Sequence, residues 1–289
     1  MMKKKVLAVV LASVMTMGMM SAVSVQAGVD DKTLVVGFDA EYPPYGYMDE
    51  DGEYTGFDLE LAQAVCDIEG WTLEKKPINW DSKDMELNSG SIYCIWNGFT
   101  MNGREDDYTF STPYVDNSQV IVVADDSGIE KLTDLAGKTV GVQAASAALD
   151  LLQSEEEGGQ KELADTFGSL NEFADYNTAF TELQAGALDA LAIDVGVAKY
   201  QLNSRGEGFK ILDETLNTEQ YAIGFKKGDD ELCDIVNADL QKLADDGTVE
   251  KLAEKYVIAD MVTLKADGED AAQSDDTEET ADTEEEAAE

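Results

Sequence analysis

The sequence predicts an α/β protein in which a second lobe is inserted into the first, and three observations point there. From Thr33 onward, short apolar runs alternate with helical stretches of about ten residues, the pattern of strands covered by helices. The apolar fraction of 44% over 289 residues is enough for one large core or two medium ones. Two strand-like runs, Gln119 to Ala124 and Gln220 to Phe225, stand where the chain would pass between lobes. They divide it into residues 28–120 plus 218–260 for one lobe and 121–217 for the other.

Taken in order, Met1 to Ala27 has the layout of a signal peptide. Lys3, Lys4 and Lys5 precede an apolar run from Val6 to Val25, and small residues at Val25-Gln26-Ala27 suit cleavage. The run is also long enough for an uncleaved membrane anchor, which is the second reading. Either way the body is expected outside the cytoplasm, extracellular or periplasmic, and the anchor would hold it at the outer face of the membrane. Strands follow at Leu34 to Phe38, Leu73 to Pro77, Tyr93 to Trp96, Gln119 to Ala124, Thr139 to Val142, Ala190 to Ile193, Phe209 to Leu212 and Ala222 to Phe225. Gly56 to Val65 carries apolar residues at helical spacing, with Asp58 in its first turn and Gly70 to end the unit. Further helices are expected from Ser82, Ser146, Thr178 and Val195, then from Asp230 to Asp246 and Thr248 to Tyr256, broken at Asp246-Gly247. Residues 261–289 form an acidic tail. After Ala266 it holds no large apolar residue and cannot bury enough surface to fold, so it is read as disordered.

Composition removes several function classes. A net charge of −41 makes nucleic acid an improbable partner. The chain has no histidine, which excludes Ser-His and Cys-His nucleophile pairs and leaves a transition metal only thiolates and carboxylates. Cys66, Cys94 and Cys233 are odd in number and lack metal-ligand spacing. Buried thiols, or one disulfide plus a thiol, are the two readings. No cofactor and no metal site is expected.

Arg104, one of two arginines, follows the run Trp96-Asn97-Gly98-Phe99-Thr100-Met101-Asn102-Gly103. A strand ending in such a turn offers loop amides beside a guanidinium, and that fork grips a carboxylate with two charge-assisted bonds. The rival reading is a surface arginine paired with Glu105 or Asp106.

Seven segments then occur in a telling order. They are Val36-Gly37-Phe38-Asp39-Ala40-Glu41-Tyr42-Pro43-Pro44-Tyr45, Gly56-Phe57-Asp58-Leu59, Asn97-Gly98-Phe99-Thr100 with Arg104, Phe110-Ser111-Thr112-Pro113-Tyr114, Lys138-Thr139-Val140-Gly141-Val142-Gln143, Leu188-Asp189-Ala190 with Asp194, and Ala244-Asp245-Asp246-Gly247-Thr248. This set, covering Thr33 to Tyr256, resembles the amino-acid-binding proteins of ABC importers, the extracytoplasmic solute-binding proteins of family 3. The resemblance implies a two-lobed, type II periplasmic-binding-protein-like fold with a two-strand hinge. It also implies a monomer that closes around one free amino acid and delivers it to the transmembrane subunits of an ABC transporter.

A zwitterion needs a cation and amide donors for its carboxylate, an anion for its ammonium, and a surface that sorts its side chain. Arg104 can supply the cation, and Asn97, Gly98 and Thr100 the donors. Asp194 follows the strand Ala190 to Ile193, at the carboxyl edge where open α/β sheets place ligands, and can take the ammonium; its rival role is to cap the helix from Val195. Ser146 opens a helix whose free amides suit an anion. Tyr42 and Trp80 match, by the resemblance, the rings that sandwich a ligand side chain, with a plain core role as the alternative. Asp39 matches the position that reads the side-chain terminus; with Glu41 near, it favours a polar or basic amino acid. Two departures stand out: Ala145-Ser146-Ala147 where relatives usually have a Gly and two hydroxyl residues, and one residue fewer between Thr100 and Arg104. The rival classes are an exported enzyme on the same fold, a dehydratase acting on a small carboxylate, and a receptor sensor domain.

Overall fold

Sequence alternation becomes two large sheets, with a small three-stranded one beside the first, in the computed structural model, which describes residues 32–267. The expected signal peptide, residues 1–27, and the acidic run from 268 lie outside the described residues. In chain order the elements begin with β1 (Thr33–Phe38), β2 (Glu41–Tyr42), β3 (Gly46–Met48), β4 (Tyr54–Thr55), α1 (Phe57–Glu69), β5 (Thr72–Pro77), α2 (Lys83–Asn88), β6 (Cys94–Ile95) and β7 (Tyr108–Phe110). A second group follows: β8 (Val115–Ala124), β9 (Thr139–Gln143), α3 (Ala147–Gln153), α4 (Lys161–Ala164), β10 (Ser169–Phe173), α5 (Tyr176–Gln184), β11 (Ala190–Asp194), α6 (Val195–Arg205), β12 (Phe209–Ile211) and β13 (Asn217–Tyr221). The chain then returns through β14 (Gly224–Lys226), α7 (Asp230–Asp245) and α8 (Thr248–Lys255).

The first lobe is a five-stranded sheet in the order β5-β1-β6-β14-β7. Its inner strand β1 is buried along nearly its whole length and runs parallel to β5 and β6, as a continuous apolar strand between helix layers should. Helix α1 buries Phe57, Leu59, Leu61, Ala62 and Val65, and Gly70 ends it in the left-handed conformation at φ 66°. Helices α7 and α8 pack against it; Gly247, at φ 79°, makes the expected break between them. The second lobe is a six-stranded sheet, β10-β9-β11-β8-β12, with β13 also paired to β8. The three cysteines are buried free thiols.

Two segments join the sheets, and they lie side by side. Between β7 and β8 runs Ser111 to Tyr114; between β13 and β14 run Ala222 and Ile223. Ser111 N donates to Ile223 O and Tyr114 N to Tyr221 O, each at 3.0 Å, while Ile223 N donates to Ser111 Oγ at 2.8 Å. The crossing expected within Gln220 to Phe225 falls there, at Ala222-Ile223, whereas the one expected at Gln119 to Ala124 lies earlier, at Ser111 to Tyr114. Residues 115–124 belong wholly to the second sheet because β11, β12 and β13 all pair with them.

Other differences have simple causes. Strand β10 gave no apolar run because it is an edge strand, half exposed at best. The tail does not begin at residue 261: Met261 and Val262 are buried, Val262 bridges to Val115, and Thr263 N donates to Tyr114 O at 3.0 Å. Asp267 N still bonds Asp245 Oδ1 at 2.9 Å. Two apolar side chains at 261 and 262 are enough to lay this segment on the first lobe.

The lobes touch closely at Gly196, in the first turn of α6. A Cβ there would lie 2.4 Å from the Tyr45 hydroxyl and 3.1 Å from its ring. Gly196→Ala should therefore push the lobes apart and destabilise the protein by about 1–3 kcal/mol, the usual cost of overpacking. Small-angle scattering should report a larger radius and calorimetry a lower melting temperature. Unchanged values of both would show that the contact does not hold in solution.

Candidate functional site

The polar residues that sequence reasoning singled out converge where the lobes meet. Asp194 ends β11 and is only 4% exposed. Its Oδ1 accepts from Asn117 Nδ2 at 2.8 Å, Gln119 Nε2 at 2.6 Å and the Tyr221 hydroxyl at 2.6 Å, and its Oδ2 from Tyr176 at 3.4 Å. It holds the N-cap position of α6 but makes no capping bond. The side chain faces the lobe junction instead, so the capping role weighed for it is not seen. Among the described residues no cation pairs with it.

Arg104 crosses the cleft. Its Nη2 lies 2.7 Å from Asp150 Oδ2 on α3, its Nη1 donates to Thr100 O at 3.3 Å, and its guanidinium sits 5.1 Å over the Phe99 ring. Neither Glu105 nor Asp106 is its partner. The arginine side chain is 14% exposed and Asp150 63%, so the pair joins a sheltered cation to a solvated anion. Beside it Lys83, which sequence reasoning missed, is buried with its Nζ 5.2 Å above Trp80 and donating to Ala145 O at 3.2 Å. Burial, then the neighbouring Arg104, lowers the Lys83 pKa.

The expected donors are partly committed elsewhere. Gly98 sits at φ 58°, where a Cβ would strike Tyr221 at 2.9 Å and Tyr42 at 3.0 Å; only glycine fits. Its N–H donates to the buried Asp58 at 2.5 Å and not toward the cleft. The Asn97 amide is buried without a partner, and the Thr100 hydroxyl donates to Glu219 at 2.8 Å. Ser146 caps α3, accepting from Leu149 N at 3.1 Å and donating to Gln143 O at 2.8 Å. Tyr42 and Trp80 do not form the expected sandwich. Tyr42 is buried among Tyr45, Tyr176 and Tyr221, its hydroxyl 3.1 Å from that of Tyr221, whereas Trp80 lines a cavity.

That cavity, of about 670 Å³, opens between the lobes. Its lining includes Asp39, Glu41, Asp81, Glu86, Glu172 and Asp175 and neither lysine nor arginine. Asp39, just past β1, accepts from Glu41 N at 2.9 Å and from Gln143 Nε2 of the other lobe at 2.7 Å. Glu41 bonds Asn177, a second link between lobes.

Several contributors escaped sequence reasoning: Asn117, Gln119, Tyr176, Glu219 and Tyr221. A signal existed. Asn117 and Gln119 stand two apart on β8, Glu219 and Tyr221 two apart on β13, and the register pairs Asn117 with Glu219. Polar residues at a period of two inside a buried strand mark one polar face.

Two buried acids titrate high. Burial raises the Asp39 carboxyl to about 6, against the pull of Glu41 N and Gln143, and the Asp58 carboxyl to about 7, against the Gly98 amide and the Tyr114 phenol. Both lie above the unfolded value, so the native state binds more protons; the stability they contribute is present at low pH and lost as pH rises through the folded values. The melting temperature should fall between about pH 4 and pH 7 and then level, and Asp58→Asn should flatten that fall and raise stability at about pH 8 by on the order of a few kcal/mol. A parallel pH profile for parent and variant would contradict this assignment.

Comparison with known proteins follows the same lines. The arginine-binding extracellular protein ArtP of Bacillus subtilis (strain 168) is 33% identical over 259 residues, covering 88% of this chain and 98% of its own. The L-cystine-binding protein TcyJ of Escherichia coli (strain K12) is 28% identical over 263 residues, covering 87% and 96%. Among solved structures, an ABC uptake transporter substrate binding protein from Streptococcus pneumoniae with bound histidine superposes with a TM-score of 0.76 at 33% identity, covering 81% of this chain and 95% of that one. Residues 34–259 match the bacterial extracellular solute-binding proteins, family 3, and the chain belongs to that family.

Proposed function

We propose that this protein binds a free amino acid between its lobes, outside the cytoplasm, and presents it to the transmembrane subunits of an ABC importer. A polar or basic side chain is favoured. The observation that carries the reading is the charge pattern at the lobe junction: a buried anion without a cation, Asp194, and a sheltered cation, Arg104, whose partner is a surface carboxylate. An ammonium would supply what Asp194 lacks. A ligand carboxylate would replace Asp150 at Arg104 at small cost, because exposed ion pairs contribute about 0–1 kcal/mol. The acid-lined cavity beside Trp80 then takes the side chain, and its six carboxylates support a cation or a hydrogen-bond donor at the terminus.

The names of relatives agree in kind: one binds arginine, one cystine, and a solved neighbour holds histidine. Binding here acts as a population switch. Contacts from both lobes exist only when they are closed, so the ligand favours closure by that difference in affinity. Export is supported by the N-terminal sequence, and no helix among the described residues is long and apolar enough to cross a membrane. The protein acts as a monomer, its lobes divided at residues 111–114 and 222–223, and carries out no catalysis, Asp194 serving as an ammonium partner and not as an acid or base over a reacting carbon.

A thermal-shift panel of the twenty amino acids tests this directly. A ligand at about a thousand times its dissociation constant should stabilise the native state by roughly 4 kcal/mol. Arg104→Ala and Asp194→Asn should each weaken binding by about 3 kcal/mol, roughly a hundredfold, since each leaves a buried ligand charge unpaired. Full affinity in both variants would overturn the site; no shift with any amino acid would favour an enzyme acting on a small carboxylate.

A further inference from the structure

Asp194 has an unusual neighbour. Glu219, buried on β13, accepts through Oε1 from Gln119 Nε2 at 2.7 Å and from Asn117 Nδ2 at 2.8 Å, the same two amide groups that serve Asp194. Two carboxylates thus crowd onto two shared donors. The Asn117 and Gln119 side-chain oxygens are buried without partners, so both amides have turned their donors toward the acids and left their acceptors unmet. The titratable groups facing Glu219 are Asp194 of β11, Tyr176 of α5, Tyr221 of β13 and Tyr45 of the first lobe; none is a cation. Like charges in a dry site cannot both remain ionised cheaply.

We propose that Glu219 is the second carboxylate of the ammonium site: it carries a proton while the site is empty and releases it to solvent when the ligand's ammonium reaches Asp194. The proposal rests on the reading of Asp194 as the ammonium partner. Glu219 acts through Asp194 and is a positioning residue. At the Asp194–Glu219 pair one positive charge replaces another, so the net charge of that acid pair with its bound cation is conserved. Burial and then the Asp194 charge raise the Glu219 pKa, which fits a retained proton. Its bond from Thr100 Oγ1, at 2.8 Å, ties this exchange to the loop that carries Arg104.

Isothermal titration with L-arginine, and with L-glutamine as a second probe, in two buffers of different ionisation enthalpy counts the protons. On the acid side of neutrality the parent should release about one proton per amino acid bound, and its affinity should rise up to about tenfold per pH unit before levelling. Counted with L-glutamine, or with L-arginine in an Asp39→Asn background that removes the other high-titrating acid of the cavity, Glu219→Gln should release none and bind independently of pH, while Glu219→Asp should restore release. Binding by the parent without proton release, or release that persists in Glu219→Gln, overturns the proposal and leaves the ammonium reading standing. Absence of binding by every one of the twenty amino acids overturns both. If Glu219→Gln fails to fold, the parent's proton count alone decides.

Discussion

A buried carboxylate that lacks a counter-cation governs this molecule. Asp194 can stay in the interior only because Asn117, Gln119, Tyr221 and Tyr176 direct their donors at it. Those donors come from β8, β13 and α5, so three elements must be in register before the charge is tolerated. An anion held by neutral dipoles is stable yet still short of a positive charge, and that shortfall is what the proposed ammonium partner would fill. The tyrosine cluster has the same origin: aromatic bodies fill the space between lobes while their hydroxyls serve the acid.

Arg104 provides the complementary half from the first lobe. Its guanidinium lies on Phe99, touches Thr100 O and reaches α3 of the second lobe. Lys83 to Ala145 O, Asp39 to Gln143 and Glu41 to Asn177 span the same cleft. Individually such bridges contribute little, but each is made only when the lobes are together. Closure is thus favoured by many small terms, and the ligand adds the large ones. The short loop from Thr100 to Arg104 brings the guanidinium to the cleft.

Much of the fold was legible because burial imposes periodicity. The apolar stretches at β1, β9 and β11 and the amphipathic pattern of α1 mark strand and helix without any tertiary knowledge. Family motifs carried Arg104, Asp194 and Asp39 to their places. What stayed hidden depends on partners far away in sequence. Asn117 and Glu219 lie outside the strand spans that hydrophobicity marks, because a polar face is tolerated only once its partner strand is known. The Gly98 amide was assigned to a ligand because nothing local reveals that Asp58, forty positions earlier, points at it. Tyr42 and Trp80 match family positions, yet here one ring is walled into the tyrosine cluster and the other is capped by Lys83.

The two connecting segments, stitched at Ser111 to Ile223 and Tyr114 to Tyr221, act mechanically as a ribbon and not as two separate strings. A paired ribbon bends across its flat face far more readily than it shears or twists within its plane. Pairing of this kind favours bending of the lobes about one axis over other relative motions. Anything that reads this protein from outside, at any point on its surface, can sense occupancy by gauging a single angle.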